Sequence, residues 1–426
     1  MNILSPGISL TNRLRFPAKF AVLAVIIVIP LVILGMRVFS NLNSRIDSVE
    51  QERVGREYLL TVTPILRLSM LQRAHTNRLL SGDASAAQDL ANNRNQLETA
   101  FNNLSDMDAR KGPELETENR VQRLRESARS LMEGVKPGLS PDDLFAQWNE
   151  QLAQTLNFIY YVSATSGLVL DDDAATLFLI DLSTIRMPRE INVAGQVRGI
   201  TAGISTGQGL TASMRGSLDS LLKLELLFRG ELEQSVRLLK RRSPELANRI
   251  NDPIATATTA MDSFRNELQA YVKGPDFSAQ RGQALGAQGN VVVAALYKAQ
   301  DEIQVALQDQ LNSRYTSLLE LRQMMIAMCV IVGLLLLYAF SSIYRALRIA
   351  IDSLLGVTRR LADGDLSARV QVVSKDEVAD IGNGLNLLHR SLKAAFLCKV
   401  KAKATALFGS IVQQRWQPTA CSSGAS

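Results

Sequence analysis

The sequence predicts an all-α, membrane-anchored protein: a helical-bundle ectodomain of two stacked bundles, followed by a parallel coiled-coil relay. Three observations predict it. Residues 20–36 and 324–344 are apolar and uncharged, over roughly the length a helix needs to cross a bilayer core. Aromatic residues make up only 5% of the 426, with 26 glycines and 12 prolines, a balance that favours long helices over sheets. Directly after the second apolar stretch, two short heptad patterns follow one another across a connector.

Taken in order, residues 1–19 form a cytoplasmic N-terminus carrying Arg13, Arg15 and Lys19, and residues 20–36 are the first span. A signal peptide is the rival reading, but Gly35-Met36-Arg37 is a poor small-residue cleavage site. Basic residues before the first span, and Arg345, Arg348, Arg359 and Arg360 after the second, place residues 37–323 outside the cytoplasm.

That outer segment holds helix-stop punctuation and no convincing strand. Ser81-Gly82-Asp83 closes a first long helix. Lys111-Gly112-Pro113 closes the next, and residues 136–141 a third. Asp171, Asp172 and Asp173 read as an N-terminal cap before Ala174, or less simply as a cation site. Arg241-Arg242-Ser243-Pro244-Glu245 and Lys273-Gly274-Pro275-Asp276 mark later turns. A last helix from about Ser278 presents Ile303, Leu307 and Leu311 on one face and enters the second span.

Beyond that span, Leu347, Ala350, Leu354, Val357 and Leu361 step alternately by three and four, as do Val378, Ile381, Leu385, Leu388 and Leu392. Both read as seams of a parallel coiled coil. Between them lie Gly364-Asp365-Leu366 and Asp376-Glu377-Val378, and Asn386 follows. This stretch, residues 345–394, resembles a HAMP domain, the four-helix relay of bacterial receptors. Gly364, Asp365 and Leu366 match the family's Gly-Asp-Leu, Asp376 and Glu377 its Asp-Glu, and Asn386 its late Asn. Ala350 stands where the family usually has Pro, Ala379 where it has Gly, and Leu385 and Leu388 where it has Phe and Met.

The whole layout resembles the N-terminal part of a methyl-accepting chemotaxis protein. The resemblance implies a homodimer in the bacterial inner membrane, with a periplasmic sensor domain for a small molecule or binding protein. It implies relay through HAMP to a chemotaxis kinase complex, reached only through a C-terminal domain. Residues 395–426 read as a short disordered tail, so the chain is expected to stop before that domain. The sensory half of a receptor histidine kinase or diguanylate cyclase, or a helical interaction protein with no small ligand, are the alternatives.

Composition excludes other classes. The net charge of +6 forms no dense basic run, so nucleic acid is not expected. No cysteine lies between the spans, which excludes a disulfide scaffold there. Two histidines, His75 and His389, do not make a metal site. No phosphate-cradling loop, nucleophile elbow or zinc motif occurs, so neither catalysis nor a cofactor is expected.

Candidate ligand-binding residues are Arg73, His75, Arg78, Arg186, Arg189 and Arg198. Arginines on a bundle wall offer bidentate hydrogen bonds to a carboxylate, although a solvated charged face is the simpler reading. His75, between Leu68 and Leu79 in helical register, reads as an anion or pH sensor, or more simply as a satisfied core histidine. Gly195, Gly199, Gly203 and Gly207 recur every fourth residue. Each costs about 1 kcal/mol in a helix relative to Ala. They mark either a close-packed or bendable helix at an interface, or a frayed connection between helices.

Overall fold

The structure is a computed structural model that describes residues 14, 16–134, 140–171, 173–203, 210–274, 279–370 and 377–414. Among them there are helices and no strand, as the all-α reading requires. Asp172, Gly207, Asp376 and residues 136–139 of the third turn lie outside the described residues, as do Arg13, Arg15, Pro275 and Asp276. The chain divides into two compact units, Val38–Gln323 and the remainder, residues 1–37 with 324–426.

Within the first unit, helix α1 (Phe16–Leu80) contributes its later part. It is followed by α2 (Ala86–Leu115), α3 (Glu118–Glu133) and α4 (Pro141–Thr165). A 3₁₀ turn at Leu168–Leu170 leads into α5 (Ala174–Asp181), which passes through one π turn (Leu182–Arg186) into α6 (Met187–Gly203). Helices α7 (Ala212–Arg242) and α8 (Pro244–Lys273) follow, then the first part of α9 (Ala279–Ala362).

Most expected boundaries hold for identifiable reasons. Asp173 caps α5 by accepting from the Thr176 amide at 2.8 Å, and Ser140 and Ser243 cap α4 and α8, each with Pro in the first turn. Lys111-Gly112-Pro113 does not end its helix. α2 continues to Leu115 and stops at Glu116 with φ 55°, because a proline in the last turn removes little more than one helical hydrogen bond. Gly112 serves packing instead. A Cβ there would lie 2.6 Å from Asp108 Oδ1, which accepts from Tyr58 Oη at 2.6 Å and Thr117 Oγ1 at 2.5 Å in the core.

The helices form two groups of four, α1–α4 and α5/α6–α9, but the groups lie flank to flank rather than stacked end to end. At one level of α1, Thr63 and Met70 meet Gln304 and Tyr297 of α9, while Tyr58 meets Phe158 of α4. A single continuous set of buried side chains therefore serves both, from Tyr58 to Leu311, with Ile303 and Leu307 in the expected stripe.

In the second unit, the two apolar stretches are helical and exposed along their length, with mean hydropathy 2.8 and 2.5 in their best windows. The Phe20 and Tyr344 rings meet edge to face at 6.2 Å. Leu347, Ala350, Leu354, Val357 and Leu361 are each partly covered while most positions between them are exposed, so the first seam is present. The second seam is displaced. Helix α10 (Glu377–Gln414) buries Ala379 and His389 and half-buries Val378, Leu385 and Asn386, leaving Ile381, Leu388 and Leu392 45–57% exposed. Within one chain the small residues allow the closest approach, and the large apolar ones face outward. Of the expected tail, residues 395–414 are helical, since α10 runs to Gln414, and residues 415–426 lie outside the described residues. The Lys- and Ala-rich run Lys399–Ala406 has high helix propensity, and losing a heptad does not end a helix.

Two helices end in the same device. Arg78-Leu79-Leu80-Ser81-Gly82-Asp83-Ala84-Ser85 and Arg360-Leu361-Ala362-Asp363-Gly364-Asp365-Leu366-Ser367 share Arg-Leu-x-x-Gly-Asp-x-Ser. In each, Gly takes positive φ, 99° and 86°. Its amide and the following Asp amide bond back to the last turn, at 3.1 and 3.0 Å in α1 and 3.1 and 2.9 Å in α9. The Asp carboxylate then grips the Arg two residues inside the helix end, at 2.6 Å in both cases, and the Ser amide beyond it. Gly364, Asp365 and Leu366 thus form a stop whose chemistry is local. Downstream, Asn386 accepts from the Val370 amide and donates to its carbonyl, both at 3.0 Å, pinning the connector to α10.

Replacing Gly82 by Ala forces a Cβ into the left-handed region and is expected to lower stability by about 1–2 kcal/mol. Gly230→Ala, in the α7 interior with nothing within 4 Å, is expected to raise it by about 0.4–1 kcal/mol. Chemical denaturation of the detergent-solubilised chain reads both.

Candidate functional site

The helical spacing that buries Leu66, Ser69, Met70 and Thr76 on α1 buries Arg73 as well, at 1% exposure. Its Nη1 donates to Asn149 Oδ1 of α4 at 2.5 Å and Asn192 Oδ1 of α6 at 3.1 Å. The guanidinium lies 5.1 Å from the Phe145 ring, and its Nε has no acceptor among the described residues. Glycine makes the space. A Cβ at Gly195 would sit 3.1 Å from Arg73 Nη2, and one at Gly199 would sit 3.1 Å from the Phe145 ring.

Arg198, a turn further along α6, has the same relation to α9. A Cβ at Gly289 would lie 2.9 Å from its Cγ, and Nη1 reaches toward Asn290 Oδ1 at 3.4 Å. Tyr297 of α9 completes the group, under the Arg67 guanidinium at 4.3 Å. Of the four recurring glycines, Gly195 and Gly199 therefore mark a close-packed interface built for arginine, and Gly203 is the last described residue of α6.

Electrostatically the group is unusual. Burial first, and then the Arg198 charge, bring the Arg73 guanidinium down to about 9. Burial also lowers Arg198, with Arg78 adding repulsion. Burial pushes Tyr297 up to about 12, against the pull of Arg67, Arg198 and Arg73. The charged and titratable groups acting on Arg73 and Arg198 are Tyr297 and other arginines, with no carboxylate among them. A buried cation without an acid is costly, and guanidinium donors are suited to a planar oxyanion.

The remaining candidates separate. His75 is half-buried, with Nδ1 3.9 Å from Asp89 and its affinity for a proton lowered by burial. Arg78 belongs to the helix stop and also meets Asp89 at 3.3 Å. Arg186 does not join Arg73. It is neutralised by Asp181 at 3.0 Å and by Glu231, beside an open cleft of about 520 Å³. Arg189 is exposed, 5.8 Å from the Phe228 ring. Asp171 is no cation ligand but the buried partner of Arg314.

Phe145, Asn149, Asn192, Gly289 and Tyr297 were not anticipated from sequence. Only the glycine repeat hinted at the site, because asparagines and single aromatics on helices carry no signal until their neighbours are known.

Residues 350–394 match the family described as HAMP domain, so the chain carries a HAMP relay next to two helices long and apolar enough to span a membrane. No curated protein matches the chain. Among solved structures it is similar to one titled "Structure of the NasR transcription antiterminator". The two share 12% identity with a TM-score of 0.52, over 88% of this chain and 99% of that one, a likeness of fold alone.

His75 holds its proton less tightly folded than unfolded, so protonation favours unfolding. Stability is expected to fall as pH drops through the unfolded value near 6.5, by at most about 1.4 kcal/mol per pH unit. His75→Gln should remove that component from a denaturation series between pH 7 and 5.

Proposed function

We propose that this chain is a transmembrane receptor of chemoreceptor type, with residues 37–323 in the periplasm sensing a small anion. The observation that carries this reading is the Arg73–Arg198 pair, Arg73 buried and Arg198 half-buried, with no carboxylate acting on either among the described residues. An oxyanion between the two guanidiniums would supply the missing charge, and Asn149, Asn192 and Tyr297 would orient it. The ligand's binding energy would then act on the packing of α1, α4, α6 and α9, where these residues sit. Arg186 and Arg189 take no part.

Output runs through the HAMP relay. Ile381, Leu388 and Leu392 on α10 and Ile349 and Leu355 on α9 are 45–69% exposed large apolar residues in a soluble relay. A second copy of the same relay would cover them, which supports a homodimer. The protein acts as a transducer in the bacterial inner membrane and not as an enzyme. A chemotaxis kinase is the partner this class addresses, through a domain beyond the HAMP relay.

Thermal unfolding of the detergent-solubilised chain against chloride, nitrate, formate, acetate, phosphate and sulfate tests the anion reading. At 100 times its Kd, a binding anion stabilises by about 2.7 kcal/mol. Arg73→Met should raise ligand-free stability by about 1–3 kcal/mol, since it removes a buried unbalanced charge, and should abolish the anion-induced shift. A variant that is destabilised without ligand, yet still shifts with the anion, would overturn the assignment.

A further inference from the structure

Opposite in sign to the arginine pair, a second charged group is buried where α6, α7 and α8 meet. Glu190 of α6 is 3% exposed and Glu225 of α7 is 0% exposed. The two carboxyl groups are neighbours across the α6–α7 contact, each acting on the other's affinity for a proton. No N–H or O–H group among the described residues donates to Glu190 Oε2 or to either oxygen of Glu225. Two carboxylate oxygens attract each other only when one carries a hydrogen.

The surroundings have the matching charge. Arg229 of α7 and Arg265 of α8 approach Glu225 at 3.7 and 3.6 Å, beyond hydrogen-bond length, and both bind Asp262 directly. Three acids thus face two guanidiniums, leaving one negative charge in excess. The other nearby charges are spoken for. Glu233 pairs with Arg237, Arg186 with Asp181 and Glu231, and Arg189 is exposed. From α9 the apolar Leu296 faces the site. Beside Glu190, a cavity of about 10 Å³, lined also by Arg229, Thr258 and Met261, has room for at most one water.

We propose that Glu190 and Glu225 share a single bound proton, forming a buried proton-binding site whose occupancy holds α6 against α7 and α8. With the proton in place the group is neutral. When a base in solution takes it, an unbalanced negative charge remains in the core and α6 loses its bond to α7. Burial, and then the Glu225 charge, push Glu190 up to about 8, so loss of the proton falls in a biological range. The same helix carries Asn192, Gly195 and Arg198 of the arginine group, so proton and anion would bias one another. That consequence rests on the anion reading, whereas the proton site does not.

The sign is fixed by the raised affinity. The folded chain keeps a proton that the unfolded chain has lost, so this site's contribution to stability should decline from about pH 5 to pH 8 and then level off, opposite in sign to that of His75. The full chain in detergent, without added oxyanion, is unfolded thermally from pH 5 to 9.5 as wild type, Glu190→Gln and Glu225→Gln. Both variants are expected to lack the decline and to be more stable than wild type at pH 9. A decline unchanged in both overturns the proposal. Infrared difference spectra of the wild type across the same range should show a protonated-carboxyl band disappearing near pH 8. Absence of that band overturns it equally, even if neither variant folds.

Discussion

Arg73 is the point on which the packing of the Val38–Gln323 unit converges. A guanidinium buried to 1% exposure needs hydrogen-bond partners in several directions. They come from different helices: Asn149 from α4, Asn192 from α6, and a face of Phe145. The backbone of α6 must come close enough for those bonds, which explains glycine at 195 and 199 despite its cost in a helix. Tyr297 and Gly289 bring α9 to the same place through Arg198. A hydrophobic core would have filled this space with leucine, and the departure from that pattern sets the region apart.

Charge is distributed through this core in a definite order. Near the first helix lie guanidiniums without acids, and between α6, α7 and α8 lie acids in excess of guanidiniums. Elsewhere a buried carboxylate meets an arginine directly, as where Arg314 joins Asp171 and Glu52. Helix α6 touches both unbalanced groups within three turns, and the π turn just before it marks the departure from regular geometry. A ligand anion and a proton are the two species that would neutralise these groups.

The relay relies on short-range chemistry. The Arg-Leu-x-x-Gly-Asp-x-Ser stop appears at the end of α1 and again before the HAMP connector, with the same bonds in both. It is a local solution to ending a helix, set by a glycine at positive φ and a carboxylate gripping the preceding Arg. Because all of its parts lie within eight consecutive residues, the stop is legible in the order of amino acids. The second HAMP seam is not. Heptad spacing groups Ile381, Leu388 and Leu392 with Val378 and Leu385, but spacing does not say which large residue yields to which small one. Ala379 and His389 take the covered positions.

Whatever depends on near neighbours along the chain could be read from its residues in order: two apolar spans, helix caps at Asp173 and Ser243, the Gly364 stop, and the all-α class. Propensity, apolar periodicity and capping are properties of a few consecutive residues. Other features exist only once the helices have packed. Arg73 and Arg198 share a site while Arg186 is neutralised elsewhere, Gly112 packs rather than stops, and Glu190 faces Glu225. Each of those depends on groups brought together from distant parts of the chain. Burial and the presence or absence of an opposite charge are set by what lies across the bundle, and helical periodicity carries no record of that.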